Sequence, residues 1–374
     1  MLRQTLCVLL ILSSGSVVHA QAKRKVIIDE DCSGPGGTNM QALLTLINSP
    51  DTEVLGITIP TGDAWRDEEV AHTLRLLEII GRTDIPVVPG AVFPMVNSKQ
   101  FTAKWEAEFG KVVYQGAWNF GNPVHGPWEI PPMPEGSPST KASQEDAATF
   151  LVRMVNAHPH EVTIYAGAPL TNLAMAMLLD ANLPELSKEL IIMGGSINPK
   201  TDDPEFKAAP HREFNFWMDP DAAHAVLHGH WPRIVLTTVD ISITTRMDKN
   251  LIARIANGTT PAALYVAKYA SAGYLWDELA AAAWLDPAII TKWQKLYIDV
   301  NTNFDAAWGN TLSWPPGKQP GKGEPLVDVQ QTVDLEKFYK LFVDLITSPT
   351  PRKKQRSAEV SIGEKTIFFK QCYK

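Results

Sequence analysis

The stretch VIIDEDCSGPGGTNMQALLTLI, from Val26 to Ile47, decides how this chain reads. A short apolar run ends in Asp29 and Asp31, a loop through Gly34, Gly36 and Gly37 follows, and Met40, Leu43, Leu44 and Ile47 then recur at the spacing of one helix face. Strand, polar turn, helix is the first half of a βα unit, with a helix predicted from about Thr38 to Asn48. Two carboxylates at i and i+2 of a strand are expected on one face. There Asp29 and Asp31 repel unless a cation or hydrogen-bond donors lie beside them. The glycine loop and the helix N-terminus supply some of that relief. A Ca2+ ion, which takes roughly six to eight oxygen ligands, would supply more. The plainer alternative is that one of the two, Asp29 more readily than Asp31, merely caps the loop.

The same unit repeats outward. EVLGITIPT reads as a strand ending at Gly62-Asp63, and DEEVAHTLRLLEIIG as a helix with an acidic first turn and Gly81 as its stop. IPVVPGA is a third strand. Beyond it come the helix QEDAATFLVRMVNAH, the strand VTIYAGAP, the helix LTNLAMAMLLDA, the strand LIIMGG, the helix DPDAAHAVLHG and the strand RIVLTTVDI. Alternation of this kind predicts an α/β fold, an open, largely parallel twisted sheet in a single domain over residues 24–347. Such sheets bind ligands outside the carboxyl ends of their strands, where Asp29, Asp31, Asp63, Gly167 and Gly194 fall. Residues 101–140 break the pattern. Trp105, Tyr114, Trp118, Phe120 and Trp128 among glycines and prolines argue for a lid over the site, with a packed surface excursion as the alternative. Residues 348–374, containing PRKKQR, read as a basic extension.

Residues 1–20 carry Arg3, the apolar run LCVLLILSS and Val18-His19-Ala20, the pattern of a cleaved export signal. The expected location is therefore periplasmic or secreted. The run is too short to span a bilayer and no later one approaches that length, so no membrane partner is expected. A formal net charge of −7 gives no electrostatic case for nucleic acid. Cys7 would leave with the signal, and Cys32 and Cys372 leave a single bridge open. In AGYLWDELAAAAWLDP, Asp277 and Glu278 suit the first turn of a helix through its dipole. Met175 and Met177 lie on an apolar helix and are expected in the core.

Taken together, these segments resemble the inosine–uridine preferring nucleoside hydrolase family, in order from about Lys25 to about Ile346. DEDCSGPGGTNMQAL stands where that family has DxDxGxDDAxAL. VLGITIPTGD is similar to its second strand, VHGPW to its HG loop, AGAPLTNLAMAM to its GPLTNLA segment and IIMGGS to its MGG strand. EFNFWMDPDAA resembles EFNxxxDPEAA, YLWDELAAAAWLDP stands in the place of VHDPxA, and LYIDVNTNFDAAWGNTL resembles the late strand pair.

The resemblance implies one Ca2+ at the carboxyl edge of the sheet and hydrolysis of the N-glycosidic bond of a small-molecule nucleoside or riboside. It assigns Asp31 as metal ligand and general base, with Asn39, the Gly167 carbonyl and Asp277 as further metal ligands. Substrate contacts fall to Thr38, Asp63, His125, Glu213, Asn215 and Trp276, and Asp29 supports the site from behind. The chain also departs from the pattern. Thr38 and Asn39 replace a tandem acid pair, Asp63 replaces an asparagine, and Trp276 replaces the histidine that would protonate a departing base. These losses keep two rivals in view: an inactive secreted binding protein of the same fold, and a hydrolase of another riboside with Trp105, Trp118 and Trp128 around its leaving group. His125 and His211 are the histidines left to protonate that group. The sequence leaves the oligomeric state open, a homo-oligomer included.

Overall fold

The computed structural model describes residues 22–119 and 124–352. The expected export signal, most of the basic extension and Cys372 lie outside them, while Cys32 is buried. Nine strands form one sheet: β1 Arg24–Asp29, β2 Thr52–Ile59, β3 Val87–Pro89, β4 Val162–Ala166, β5 Glu189–Met193, β6 Ile234–Thr237, β7 Ile290–Val300, β8 Thr311–Trp314 and β9 Leu326–Val333. Their order is β3-β2-β1-β4-β5-β6-β9-β7-β8. Pairing is parallel from β3 to β9, and β7 pairs antiparallel with β8 and β9. The winding reverses between β1 and β4, which opens a crevice at their carboxyl ends.

Alternation along each strand feeds two cores. Val26 and Ile28 join one with Ile57, Ile59, Ile191 and the helices Thr38–Asn48 and Trp276–Leu285. Ile27 joins the other with Val162, Ile164 and the helix Thr171–Leu179. Each fully buried isoleucine contributes about 2 to 3 kcal/mol relative to exposure. Both sheet faces are thus covered by helices, and the strands read as near-continuous apolar runs. The predicted helix stop at Gly81 is realised: its φ of 70° is left-handed, and its N–H bonds back to the last turn.

Three expectations change. β1 ends at Asp29, so Asp31 lies beyond the strand and does not share a face with Asp29. The 101–140 segment is not structureless: a helix covers Lys99–Phe109 and a 3-10 turn Gly116–Trp118. Trp105 and Trp118 are buried in an aromatic cluster with Trp65, Trp217 and Trp308. Met175 is 43% exposed, because the helix turns only one stripe inward although it is apolar all round.

Candidate functional site

A cavity of about 280 Å³ opens at the carboxyl edge of the sheet. Asp31, Asn39, Gly167 and Asp277 line it, and so do Glu213, Asn215, Asp63, Thr38 and Trp276. The loop after β1 delivers Asp31. Its Oδ1 accepts from Asn39 Nδ2 at 2.7 Å and its Oδ2 from the Asp63 N–H at 3.0 Å. Gly62 leaves that carboxylate room, since a Cβ there would lie 2.1 Å from Asp31 Oδ2. Gly36, at φ 91°, lets the loop press on Tyr269, whose carbonyl a Cβ would meet at 2.0 Å.

Thr38 opens its helix without a side-chain cap from Gly37. Its hydroxyl donates to Glu278 and accepts from the Asp277 N–H at 3.2 Å. The Asp277 carbonyl takes the Tyr165 hydroxyl at 2.8 Å, so the start of the Trp276–Leu285 helix is tied to β4 as well as to Thr38. Glu213 caps the helix Phe214–Met218, accepting from the Asn215 N–H at 2.7 Å, Phe216 at 3.1 Å and Gly195 at 2.9 Å. Asn215 Nδ2 donates to the Met193 carbonyl at 3.1 Å. Asp63 accepts from the Tyr114 hydroxyl at 2.8 Å.

Asp29 does not reach the cavity. It is buried behind, accepting from Thr58 and, at 2.7 Å, from Asn172 Nδ2. His125 does not line the cavity either: its Nε2 lies 3.0 Å from Glu68 Oε2 and its carbonyl accepts from Trp65. His211 is exposed, and Trp105, Trp118 and Trp128 are absent from the lining. Of the aromatics expected in a lid, Tyr114 lines the cavity; sequence reasoning missed Met193, Glu205, Phe206, Phe214 and Val239 in its wall, and the buried Glu30 and Glu278 beside it. Glu30 stood inside the quoted stretch, but strand alternation turned it away from the two aspartates.

Burial dominates the electrostatics. It pushes the Asp31, Asp277 and Glu30 carboxyls well above their usual range, and neighbouring carboxylates push them further. Burial raises Asp63 to about 6, against the Tyr114 hydrogen bond, and Glu213 to about 7, against its backbone donors. Asn39 Oδ1, Asp277 Oδ1 and both Glu30 oxygens are buried without a hydrogen-bond partner. A set of oxygen donors with unpaired anionic members fits a hard divalent cation.

One consequence is measurable without substrate. Glu213 and Asp219 titrate at about 7 and about 6 in the fold because burial disfavours their charge. Protonation therefore favours the folded state: their stabilising contribution is complete below about pH 4 and is lost as pH rises through 6 to 7. In excess chelator the protein is expected to melt several degrees higher at pH 5 than at pH 8. For Glu213 alone the difference is on the order of 3 kcal/mol. Equal melts at the two pH values would contradict the burial of these charges.

The family model for inosine–uridine preferring nucleoside hydrolases matches residues 26–340. The chain belongs to that family. It is 25% identical over 336 residues to the inosine–uridine preferring nucleoside hydrolase of Leishmania major, across 86% of this chain and 97% of the relative. It is 28% identical over 363 residues to an uncharacterized protein of Schizosaccharomyces pombe, across 89% of each. Among solved structures, a plant nucleoside hydrolase superposes with a TM-score of 0.69 at 24% identity, covering 87% of this chain and 99% of that one. As a nucleoside hydrolase, the chain is an enzyme that hydrolyses N-glycosidic bonds of small-molecule nucleosides. No helix among its described residues is long and apolar enough to cross a membrane.

Proposed function

We propose that this nucleoside hydrolase cleaves the N-glycosidic bond of a ribonucleoside with Asp31 as general base, at a Ca2+ site built from Asp31, Asn39, the Gly167 carbonyl and Asp277. The observation carrying this reading is the convergence, in one cavity, of those oxygen donors with Glu213, Asn215 and an aromatic wall. When bound, Ca2+ supplies a positive charge that orients a water and makes it more acidic. Asp31 takes a proton from that water as the C1′–N bond breaks through an oxocarbenium-like transition state, the water oxygen bonding to C1′ and the base leaving with the electron pair. Asp63 and Asp277, held in their charged forms by a bound cation, put negative charge near the sugar as positive charge develops on it. Backbone bonds fix the rotamer of Glu213, which suits it to hold a ribose hydroxyl without reorganising.

The base needs a slot and a proton. Phe206 and Trp276 meet edge to face at 5.8 Å and Tyr114 and Phe214 at 4.9 Å, a wall suited to a flat heterocycle. Trp276 has no proton to give in that role. Tyr114 directs its proton to Asp63, whereas burial and the Asp203 charge raise the Glu205 carboxyl, which keeps it a candidate donor. Glu205→Gln is expected to slow hydrolysis of inosine by about 10- to 100-fold and to spare a p-nitrophenyl riboside, whose leaving group departs unaided. Equal losses on both substrates would remove Glu205 from this role.

The deciding experiment is ribose release from a panel of purine and pyrimidine ribonucleosides by the mature protein. Turnover of at least one nucleoside is expected, abolished by chelator and restored by added Ca2+. Turnover unaffected by chelator would remove the metal from the mechanism, and no turnover with Ca2+ present would overturn the reading.

A further inference from the structure

We propose that Glu30 is a direct ligand of the cation at this site, supplying from its buried side the negative charge that Asn39 cannot. The inference rests on the calcium reading above. Glu30 is fully buried just beyond the end of β1, and neither of its carboxylate oxygens has a hydrogen-bond partner. No ion pair to it forms among the described residues. The neighbouring Tyr165 hydroxyl gives its proton to the Asp277 carbonyl at 2.8 Å.

The position is as specific as the isolation. A Cβ on Gly167 would lie 2.5 Å from Glu30 Oε1 and 2.7 Å from Oε2, so the carboxylate is pressed on the very residue whose carbonyl is a candidate ligand. Asp277, Asn39, Asp29 and Asp63 are its polar neighbours, and Asp277 likewise holds a buried carboxylate oxygen without a partner. Glu30 and Asp277 thus hold unpaired carboxylate oxygens close to each other, while Asn39 turns its Nδ2 to Asp31 and its Oδ1 toward Gly37. Asp31, by contrast, already accepts a bond on each oxygen, from Asn39 and from the Asp63 N–H. A ligand set of Asp31, Asp277 and two neutral oxygens is poor in charge, and charge count helps to set affinity for Ca2+. Glu30 raises that count without entering the cavity that receives substrate.

The experiment is titration calorimetry of the chelator-stripped full-length mature chain with CaCl2, beside thermal melts. Glu30→Gln is expected to weaken Ca2+ binding about 100-fold or more. The same variant should leave the calcium-free melt unchanged or raised, because it replaces an unpaired acid by a neutral isostere. Adding Asn39→Asp to Glu30→Gln should regain most of the affinity by returning the charge from the other side. Wild-type affinity in Glu30→Gln overturns the assignment and leaves the calcium reading standing. Absence of Ca2+ binding by the wild-type chain overturns both. If Glu30→Gln does not fold, Glu30→Asp draws the carboxylate back by one methylene; loss of affinity supports ligation and wild-type affinity overturns it.

Discussion

Replacing Asp31 by Asn is expected to lower kcat by about three orders of magnitude on the best nucleoside while leaving the fold intact. General-base catalysis contributes roughly 10²- to 10⁴-fold, and an amide cannot take the proton. The substitution also mismatches the local bonding. Asp31 accepts from donors on both sides, Asn39 Nδ2 and the Asp63 N–H, so an asparagine must aim its own NH2 at one of them. The melt of the calcium-free variant should hold or rise, because a carboxyl surrounded by Asp63, Glu69 and Glu30 has lost its charge. Single-turnover and steady-state rates, with calcium saturating, separate the base from metal loss. A kcat within tenfold of wild type would take Asp31 out of the chemistry.

Gly62→Ala is expected to cost nearly as much from a residue that carries no functional group. The new Cβ would stand 2.1 Å from Asp31 Oδ2 and 2.5 Å from its Cβ, so one of the two must move. The Gly62 backbone has little freedom to yield: its N–H donates to the Ala64 carbonyl and its carbonyl accepts from the Ala117 N–H of the Gly116–Trp118 turn. Asp31 is then displaced by the order of an ångström, which lowers kcat/KM about 100-fold. Overpacking should also destabilise the fold by about 1 to 3 kcal/mol. Gly273→Ala is the control, since a Cβ there meets nothing within 4 Å and activity should be unchanged. Wild-type kcat/KM in Gly62→Ala would mean that Asp31 is not held by this contact.

The quoted stretch shows how far local chemistry reaches. Val26-Ile27-Ile28 made the strand, the glycines made the turn, and the helix begins at Thr38 as its apolar spacing requires. These features are local, so period and turn chemistry read them. Repetition of the unit then determined a parallel sheet, and with it the edge at which ligands bind. Glu213, Asn215 and Asp277, far apart in the chain, were legible only because whole motifs stood in the order of the family.

Tertiary structure alone decided what the acids do. Asp29 and Asp31 look equivalent in sequence, yet strand β1 stops between them. One goes behind the sheet to Thr58 and Asn172, the other into the cavity. His125, expected at the substrate, is held by Glu68, a residue whose only sequence signal was an acidic helix start. Thr38 and Asn39, read as losses of charge, sit beside Glu278 and near Glu30, whose acids no periodicity placed there. Period and propensity act within a few residues of chain. Charge balance in a buried site is a sum over whatever the fold brings together, with burial strengthening every term of it, and so it is decided only after the chain has closed.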